Sequence, residues 1–134
     1  MDMCKRRGFD AVEPDNMDGY QNRTGFPITY AQQLRYNRFL ARAAHERGLS
    51  IAMKNDPAQV EDLAPLYDFA ITEDCFDQGW CHRMKPFVEA NKAVLATEYT
   101  DTGARLSRFC PKAKNLRFDA ILKKRNLGEW RRSC

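Results

Sequence analysis

Four apolar segments of the chain each end in acidic, amide or basic side chains. The endings "VEPDN", "AMKND", "AITED" and "LATEY" supply Asp15, Lys54, Asn55, Glu73 and Glu98. Two neighbouring carboxyl groups can take complementary roles in one reaction. The protonated group gives its proton to a leaving oxygen, and the ionised group attacks carbon or activates water. Crowding in a partly desolvated site separates the pKa values of such groups and supplies both states at one pH. The pattern therefore indicates carboxyl chemistry of the kind used to cleave glycosidic bonds.

Several of these residues also have a purely structural explanation. Asp56 is expected to cap a helix that begins at Pro57, and Asn16 or Asp18 could serve only to hold a turn. Glu73 and Glu98 fit this explanation less well, because good N-caps are Ser, Thr, Asp or Asn.

Lys54 allows a second kind of chemistry. It could form a Schiff base with a carbonyl substrate, as a barrel aldolase does. A Schiff-base lysine must be desolvated, and the polar Asn-Asp that follows Lys54 makes such desolvation less expected.

The elements that position these residues follow from an alternation of short apolar runs with helical patterns. We predict strands over residues 9–15, 49–56, 69–75 and 92–99, helices over residues 29–48, 57–67 and 81–91, an irregular stretch from Thr100 to Arg117, and a fifth strand or a terminal helix over residues 118–124. Strands that alternate with helices pair in parallel, so their carboxyl ends meet at one edge. The order predicts an α/β fold, and in a TIM barrel this edge is the catalytic face.

The longest helical pattern has Leu34, Phe39, Leu40 and Ala43 on one side, which predicts its buried face. Thr29 can cap its start and Gly48 its end.

Basic residues are concentrated in this helix, at Arg35, Arg38, Arg42 and Arg47, and in the tail "KKRNLGEWRRSC". Such stretches can bind nucleic acid or another polyanion. The net charge is only +4, and the stacking aromatics of an RNA-binding sheet are missing. We therefore favour a solvated helix face and a solvated tail, and nucleic acid is not an expected partner.

The length of 134 residues, with 43% hydrophobic and 30% charged residues, predicts one globular domain. No segment approaches the roughly 20 apolar residues of a membrane span. The opening residues "MDMCKRRG" have no apolar run behind them, so no signal peptide is predicted in this chain.

Five cysteines suggest disulfides formed in an oxidising compartment. Cys75 and Cys81 are close enough in sequence for a disulfide that closes one loop. A disulfide between Cys110 and Cys134 could fix the end of the chain. Cys4 would then be unpaired. No C-x-x-C pair occurs and there are only two histidines, so a metal site is not expected.

Five segments, "GFDAVEPDNMDGY", "TGFPIT", "HERGLSIAMKND", "FAITEDCF" and "KAVLATEY", occur in the order seen in a known family. In these segments the chain resembles glycoside-hydrolase family 114, the endo-alpha-1,4-polygalactosaminidases and spherulin-4-like proteins. The resemblance covers nearly the whole chain. It implies a TIM (β/α)8-type barrel, usually secreted, that cleaves within galactosamine-containing polysaccharide and needs no metal or organic cofactor.

The resemblance also implies roles for individual residues. Asp15 of the "EPDN" segment matches the nucleophile and Glu73 of "TED" the acid/base, although relatives often have "NEQC" there. Sugar subsites would be lined by Glu13, Asn16, Asp18, Tyr20, Lys54, Asn55 and Glu98. Protonated amino groups of the substrate would suit such an acidic pocket.

A complete barrel has eight strands and usually about 250 residues, whereas this chain has about five of the eight βα units. We therefore expect a single domain, residues 1–134, that is incomplete at its N-terminus. The open sheet edges of a part barrel favour self-association. An inactive remnant that only binds amino-sugar polymers remains the alternative.

Overall fold

Short helices alternate with short strands in a computed structural model that describes residues 1–134. The helices are α1 (Asp2–Arg6), α2 (Tyr30–His45), α3 (Val60–Leu63), α4 (Lys85–Glu89) and α5 (Leu106–Leu116). The strands are β1 (Ala11–Val12), β2 (Ser50–Lys54), β3 (Phe69–Glu73), β4 (Val94–Tyr99), β5 (Asp119–Lys123) and β6 (Arg131–Ser133). None of the helices combines the length and apolar character needed to cross a membrane. The chain forms two compact units, Met1–Phe69 and Ala70–Cys134.

The first unit contains a parallel strand pair, in which β1 lies beside β2 with Val12 opposite Ile51. The predicted first strand over residues 9–15 is too long at both ends, because β1 has only two residues. Phe9 is 60% exposed, and Pro14 has no N–H to donate to a strand ladder. The carboxylates that follow β1 therefore lie on a loop.

Helix α2 begins as predicted, with a capping box at Thr29. The Thr29 hydroxyl accepts from the Gln32 N–H, and the Gln32 side chain accepts from the Thr29 N–H at 2.8 Å. The helix ends at His45, and Gly48 follows with a φ of 62°.

The predicted buried face of α2 is wrong. The buried residues are Gln33, Asn37, Ala41 and Ala44, whereas Phe39 is 52% exposed. Small side chains allow close approach to the neighbouring elements. The two buried amides have hydrogen-bond partners, because Gln33 Nε2 donates to Asn37 Oδ1 at 2.9 Å, and Asn37 Nδ2 donates to the Met17 carbonyl at 3.0 Å.

The helix predicted from Pro57 is shorter than expected, and Asp56 does not cap it. Helix α3 begins at Val60, preceded by Gln59. Asp56 lies in a turn in which its carbonyl accepts from the Gln59 N–H at 3.1 Å, and its φ of 49° is left-handed. Its side chain is thereby released from capping and enters the interior of this unit.

The second unit contains the parallel strands β3, β4 and β5. Glu73 lies opposite Thr97 and Tyr99 lies opposite Lys123, so the carboxyl ends of these strands are at one edge. The segment "FDAILKK" contains a strand rather than a helix, and β6 pairs with β5 antiparallel. The predicted helix over residues 81–91 divides into a 3₁₀ turn and α4.

The stretch from Thr100 to Arg117 is not irregular, because most of it is α5. Pro111 lies inside this helix, which is why a sequence pattern argues against it. Burial of Phe109 and Ala113, four residues apart, anchors the helix on the sheet.

Both predicted disulfides are present and stabilise this second unit. Cys75 pairs with Cys81, and Cys110 of α5 pairs with Cys134. Cys4 is a free cysteine, as expected.

Candidate active site

In the first unit, the loop after β1 and the end of β2 form a charged cluster around Lys54. The Lys54 Nζ lies 3.0 Å from Glu13 Oε1 and 3.3 Å from Asp15 Oδ1. The Lys54 side chain is only 9% exposed, whereas that of Asp15 is 64% exposed. The sequence predicts that Asp15 and Lys54 are neighbours, and they are in contact. Lys54 is more buried than the Asn-Asp that follows it led us to expect, and the carboxylate beside it is exposed to solvent.

This cluster favours the ionised form of Asp15. Partial burial raises the pKa of the carboxyl, but the Asn16 backbone N–H and the Lys54 ammonium outweigh it, and the pKa lies below its usual value. An ionised carboxylate can act as a nucleophile or a general base. A Schiff base requires a neutral amine, whereas the Lys54 Nζ is in contact with two carboxylates.

A buried carboxyl, Asp56, organises the neighbouring loop. It is fully buried, Tyr20 Oη donates to its Oδ1 at 3.1 Å, and Asn37 Nδ2 lies 3.4 Å from its Oδ2. Burial raises the pKa of Asp56 to about 7, helped by the charge of Asp18 and opposed by hydrogen bonds from Tyr20 and the Gln59 N–H. Burial and the Asp56 charge also raise the pKa of the Tyr20 phenol.

Sequence reasoning assigned Asp56 only to a helix cap. The one available signal was its position directly after Lys54 and Asn55, as the third polar residue at a strand end. Tyr20, a predicted sugar contact, is oriented by this carboxyl.

Three other predicted contacts hold turns. Asn16 and Asn55 have φ values of 54° and 51°, a region that Asn tolerates better than most residues. Asp18 Oδ1 accepts a hydrogen bond from Asn22 Nδ2 at 3.3 Å in the 3₁₀ turn. Their backbone roles support the turn explanation and leave sugar contact as a prediction.

In the second unit, Glu73 stands at the end of β3 and accepts a hydrogen bond from the phenol of Tyr99, at the end of β4. Tyr99 is 2% exposed, and the guanidinium carbon of Arg125 lies 4.0 Å from its ring centroid. Arg125 was not predicted as a site residue, because it lies in a basic tail whose charge pattern predicts a solvated segment.

Glu98, which precedes Tyr99 on β4, holds a loop. It is 1% exposed and accepts from the backbone N–H groups of Phe76 at 2.8 Å and Asp77 at 3.1 Å. Burial raises its pKa, and the nearby charges of Asp74 and Asp77 add to this while the two N–H groups oppose it. Successive strand residues point to opposite faces, so Glu98 and Tyr99 point to different sides of the sheet.

One group of potential metal ligands is ruled out by its chemistry. The sulfurs of Cys75 and Cys81 and a carboxylate oxygen of Glu98 lie within 4.8 Å of one another. The sulfurs are joined in a disulfide, whereas a metal requires the thiolate.

Parallel α/β strands with polar carboxyl ends occur in many barrel families, and comparison with known proteins identifies the family of this chain. The model of glycoside-hydrolase family GH114 matches residues 1–134, and the chain belongs to this family. A search of curated protein sequences finds no match.

Among solved structures, the chain is similar to the crystal structure of Aspergillus fumigatus Ega3 in complex with galactosamine. The TM-score is 0.91 at 30% sequence identity. The match includes 99% of this chain and 57% of the Ega3 chain, so this chain spans little more than half the length of that structure. The similarity confirms the predicted fold class, an α/β chain with part of a TIM-type barrel.

Proposed function

We propose that the protein is a glycoside hydrolase that cleaves internal alpha-1,4 linkages in galactosamine-containing polysaccharide. Membership of family GH114 and the similarity to a structure that contains galactosamine support this substrate class. The observation that carries the chemistry is the contact between the buried Lys54 ammonium and Asp15, because it lowers the pKa of this carboxyl on the loop after β1 and favours its ionised form.

In this proposal Asp15 is the nucleophile and Glu73 the acid/base. Asp15 attacks the anomeric carbon while Glu73 gives its proton to the leaving sugar oxygen, and Glu73 then takes a proton from the water that releases the product. The ionised state of Asp15 supports its role as the nucleophile. The hydrogen bond from the Tyr99 phenol supports a fixed orientation of the Glu73 carboxyl.

The charges of the loop after β1 support a cationic substrate. Glu13, Asp15 and Asp18 lie within six residues, and protonated galactosamine units carry positive charge. We assign Asp18 and Tyr20 to sugar subsites, with Tyr20 held in place by Asp56. The two disulfides support action in an oxidising compartment, and we propose that the protein works outside the cell.

The test is the release of new reducing ends from an alpha-1,4-galactosamine polymer by the wild-type chain and by Asp15→Asn and Glu73→Gln. We expect each substitution to lower kcat by at least about 1,000-fold, since each removes one of the two carboxyls on which the mechanism depends. Glu61→Gln is the matched control, because Glu61 is an exposed carboxylate of α3. It should have wild-type activity.

Cooperative unfolding of every variant has to be verified alongside. A wild-type chain that unfolds cooperatively but releases no reducing ends would contradict the proposal. If such a chain still binds the polymer, and Asp15→Asn and Glu73→Gln change binding only slightly, it is a binding remnant.

A further inference from the structure

The ends of three adjacent parallel strands meet at Glu73. Glu73 ends β3, Tyr99 ends β4, and Arg125 follows β5 by two residues. The Tyr99 phenol donates to Glu73 Oε1, and the Arg125 guanidinium covers the face of the Tyr99 ring at 4.0 Å. The three side chains therefore form one continuous series of contacts.

Tyr99 has little freedom to move. Its side chain is buried, and its backbone carbonyl accepts from Thr102 Oγ1 at 3.0 Å in the following 3₁₀ turn. A cation over an aromatic face is attracted by the ring quadrupole, and the Arg125 side chain makes this contact while it is 47% exposed.

Arg125 is in turn fixed by two carboxylates. Its Nε and Nη2 donate to the two oxygens of Asp101 at 2.9 and 3.1 Å, and its Nη1 donates to Asp74 Oδ2 at 2.8 Å. These hydrogen bonds raise the pKa of Arg125, and they hold the pKa of Asp101 below its usual value even though slight desolvation opposes this. A bidentate fork restrains the guanidinium plane in a way that a lysine would not.

The ion pair with Asp74 also stabilises the position of the Arg125 guanidinium. It is buried, and its Oδ1 accepts no hydrogen bond, so Arg125 supplies its charge partner. Asp74 directly follows Glu73, and its N–H donates to the Thr97 carbonyl at 2.9 Å. The guanidinium thus fixes both the residue that follows Glu73 and the phenol that contacts it.

We propose that Tyr99 and Arg125 are positioning residues for the acid/base, with Arg125 orienting Tyr99 and Tyr99 orienting the Glu73 carboxyl toward the leaving sugar oxygen. This inference rests on the proposed role of Glu73. Its direct consequence is that loss of Tyr99 or Arg125 affects protonation of the leaving group more than substrate binding.

The test compares two substrates whose leaving groups differ in how far their departure depends on protonation by a general acid. One is an alpha-1,4-galactosamine oligomer, whose leaving group is a sugar alcohol. The other is the same oligomer with a nitrophenyl group at its reducing end, which departs without protonation. The variants are Tyr99→Phe, Arg125→Gln and Arg125→Lys, and the control is Arg83→Gln, since Arg83 is an exposed arginine of the same unit.

For Tyr99→Phe we expect kcat on the sugar leaving group to fall about 10- to 100-fold, with KM nearly unchanged and less than about a threefold loss on the nitrophenyl substrate. Arg125→Gln should show the same pattern, and Arg125→Lys should recover part of the loss because it keeps a cation. Equal losses on both substrates, or a change confined to KM, would overturn the inference and leave the glycosidase proposal intact. Full activity of Glu73→Gln, or an inactive but folded wild-type chain, would overturn the proposed function itself.

Discussion

The Lys54 ammonium lies 3.3 Å from the Asp15 carboxylate and connects the end of β2 to the loop after β1. Lys54 is almost fully buried, so the attraction is screened by salt much less than that of an exposed pair. Glu13, at 3.0 Å, shares the same cation. The two carboxylates therefore share one buried cation.

Replacing Lys54 by Met should remove this effect while retaining most of the side-chain volume. The pKa of Asp15 should rise, because burial would then be opposed only by the Asn16 N–H and the charge of Glu13 would be uncompensated. The acid limb of the pH profile of kcat/KM should move to higher pH, with kcat/KM at acidic pH reduced about 100-fold. Initial rates of reducing-end release between pH 3 and 8 would measure both.

Lys85→Met is the matched control, since the Lys85 side chain is 65% exposed and pairs only loosely with Glu89 at 3.9 Å. Its pH profile should be that of the wild type. An unshifted acid limb in Lys54→Met would show that Lys54 does not keep Asp15 ionised.

Sequence patterns located this cluster because strand ends in a parallel sheet are simple to find. Apolar runs that stop at Lys54 and at Glu73 identify the polar residue at each of these strand ends directly. The two disulfide pairings followed from spacing in the same way. The family resemblance added what periodicity cannot supply, which is the roles proposed for Asp15 and Glu73.

Residues whose roles depend on tertiary contacts were not predictable. Asp is a residue type that commonly caps helices, so the sequence predicts a cap at Asp56. Only the fold shows that Tyr20 and Asn37 contact its carboxylate. Arg125 lies in a basic tail, and its position over Tyr99 depends on β5 pairing with β4. Helix α5 contains a proline, so propensity argues against an element that the buried Phe109 and the disulfide of Cys110 stabilise.

The capping box of α2 allows a direct test of local stability. Thr29→Ala removes the hydroxyl that accepts from the Gln32 N–H and should lower the free energy of unfolding by about 1 kcal/mol. Urea unfolding followed by circular dichroism would measure the difference. Ser107→Ala is the control, because α5 has no side-chain cap and Ser107 is exposed; an equal loss in both variants would argue against the cap.

The disulfide between Cys110 and Cys134 should stabilise the folded protein by lowering the conformational entropy of the unfolded chain. The cysteines are 24 residues apart, and closing a loop of this length removes entropy worth roughly 3 kcal/mol from the unfolded state. The double substitution Cys110→Ala with Cys134→Ala should lower the free energy of unfolding by about this amount in urea under oxidising conditions. Cys4→Ala, which removes the free thiol, should change it little. Unchanged stability of the double variant would mean that the end of the chain is held by other contacts.

Asp56 should make the stability of the protein depend on pH in an unusual direction. Its pKa is raised to about 7 in the folded protein, whereas in the unfolded chain it ionises near its ordinary value of 3.8. A raised folded pKa contributes stability that is fully present below about pH 4 and is lost as the pH rises through about 7. Each pKa unit corresponds to about 1.4 kcal/mol, so the ionised carboxylate costs the fold a few kcal/mol.

Asp56→Asn should remove this contribution, because the amide still accepts from Tyr20 but does not ionise. We expect the free energy of unfolding of the variant to fall less than that of the wild type between pH 4 and 8, measured by urea unfolding at each pH. Some slope should remain in both proteins, since burial raises the pKa of Glu98 as well. Asp119→Asn, at an exposed position of β5, should keep the wild-type slope. Equal slopes in Asp56→Asn and the wild type would show that Asp56 is ionised in the fold at no cost, and that Tyr20 and Asn37 fully compensate its burial.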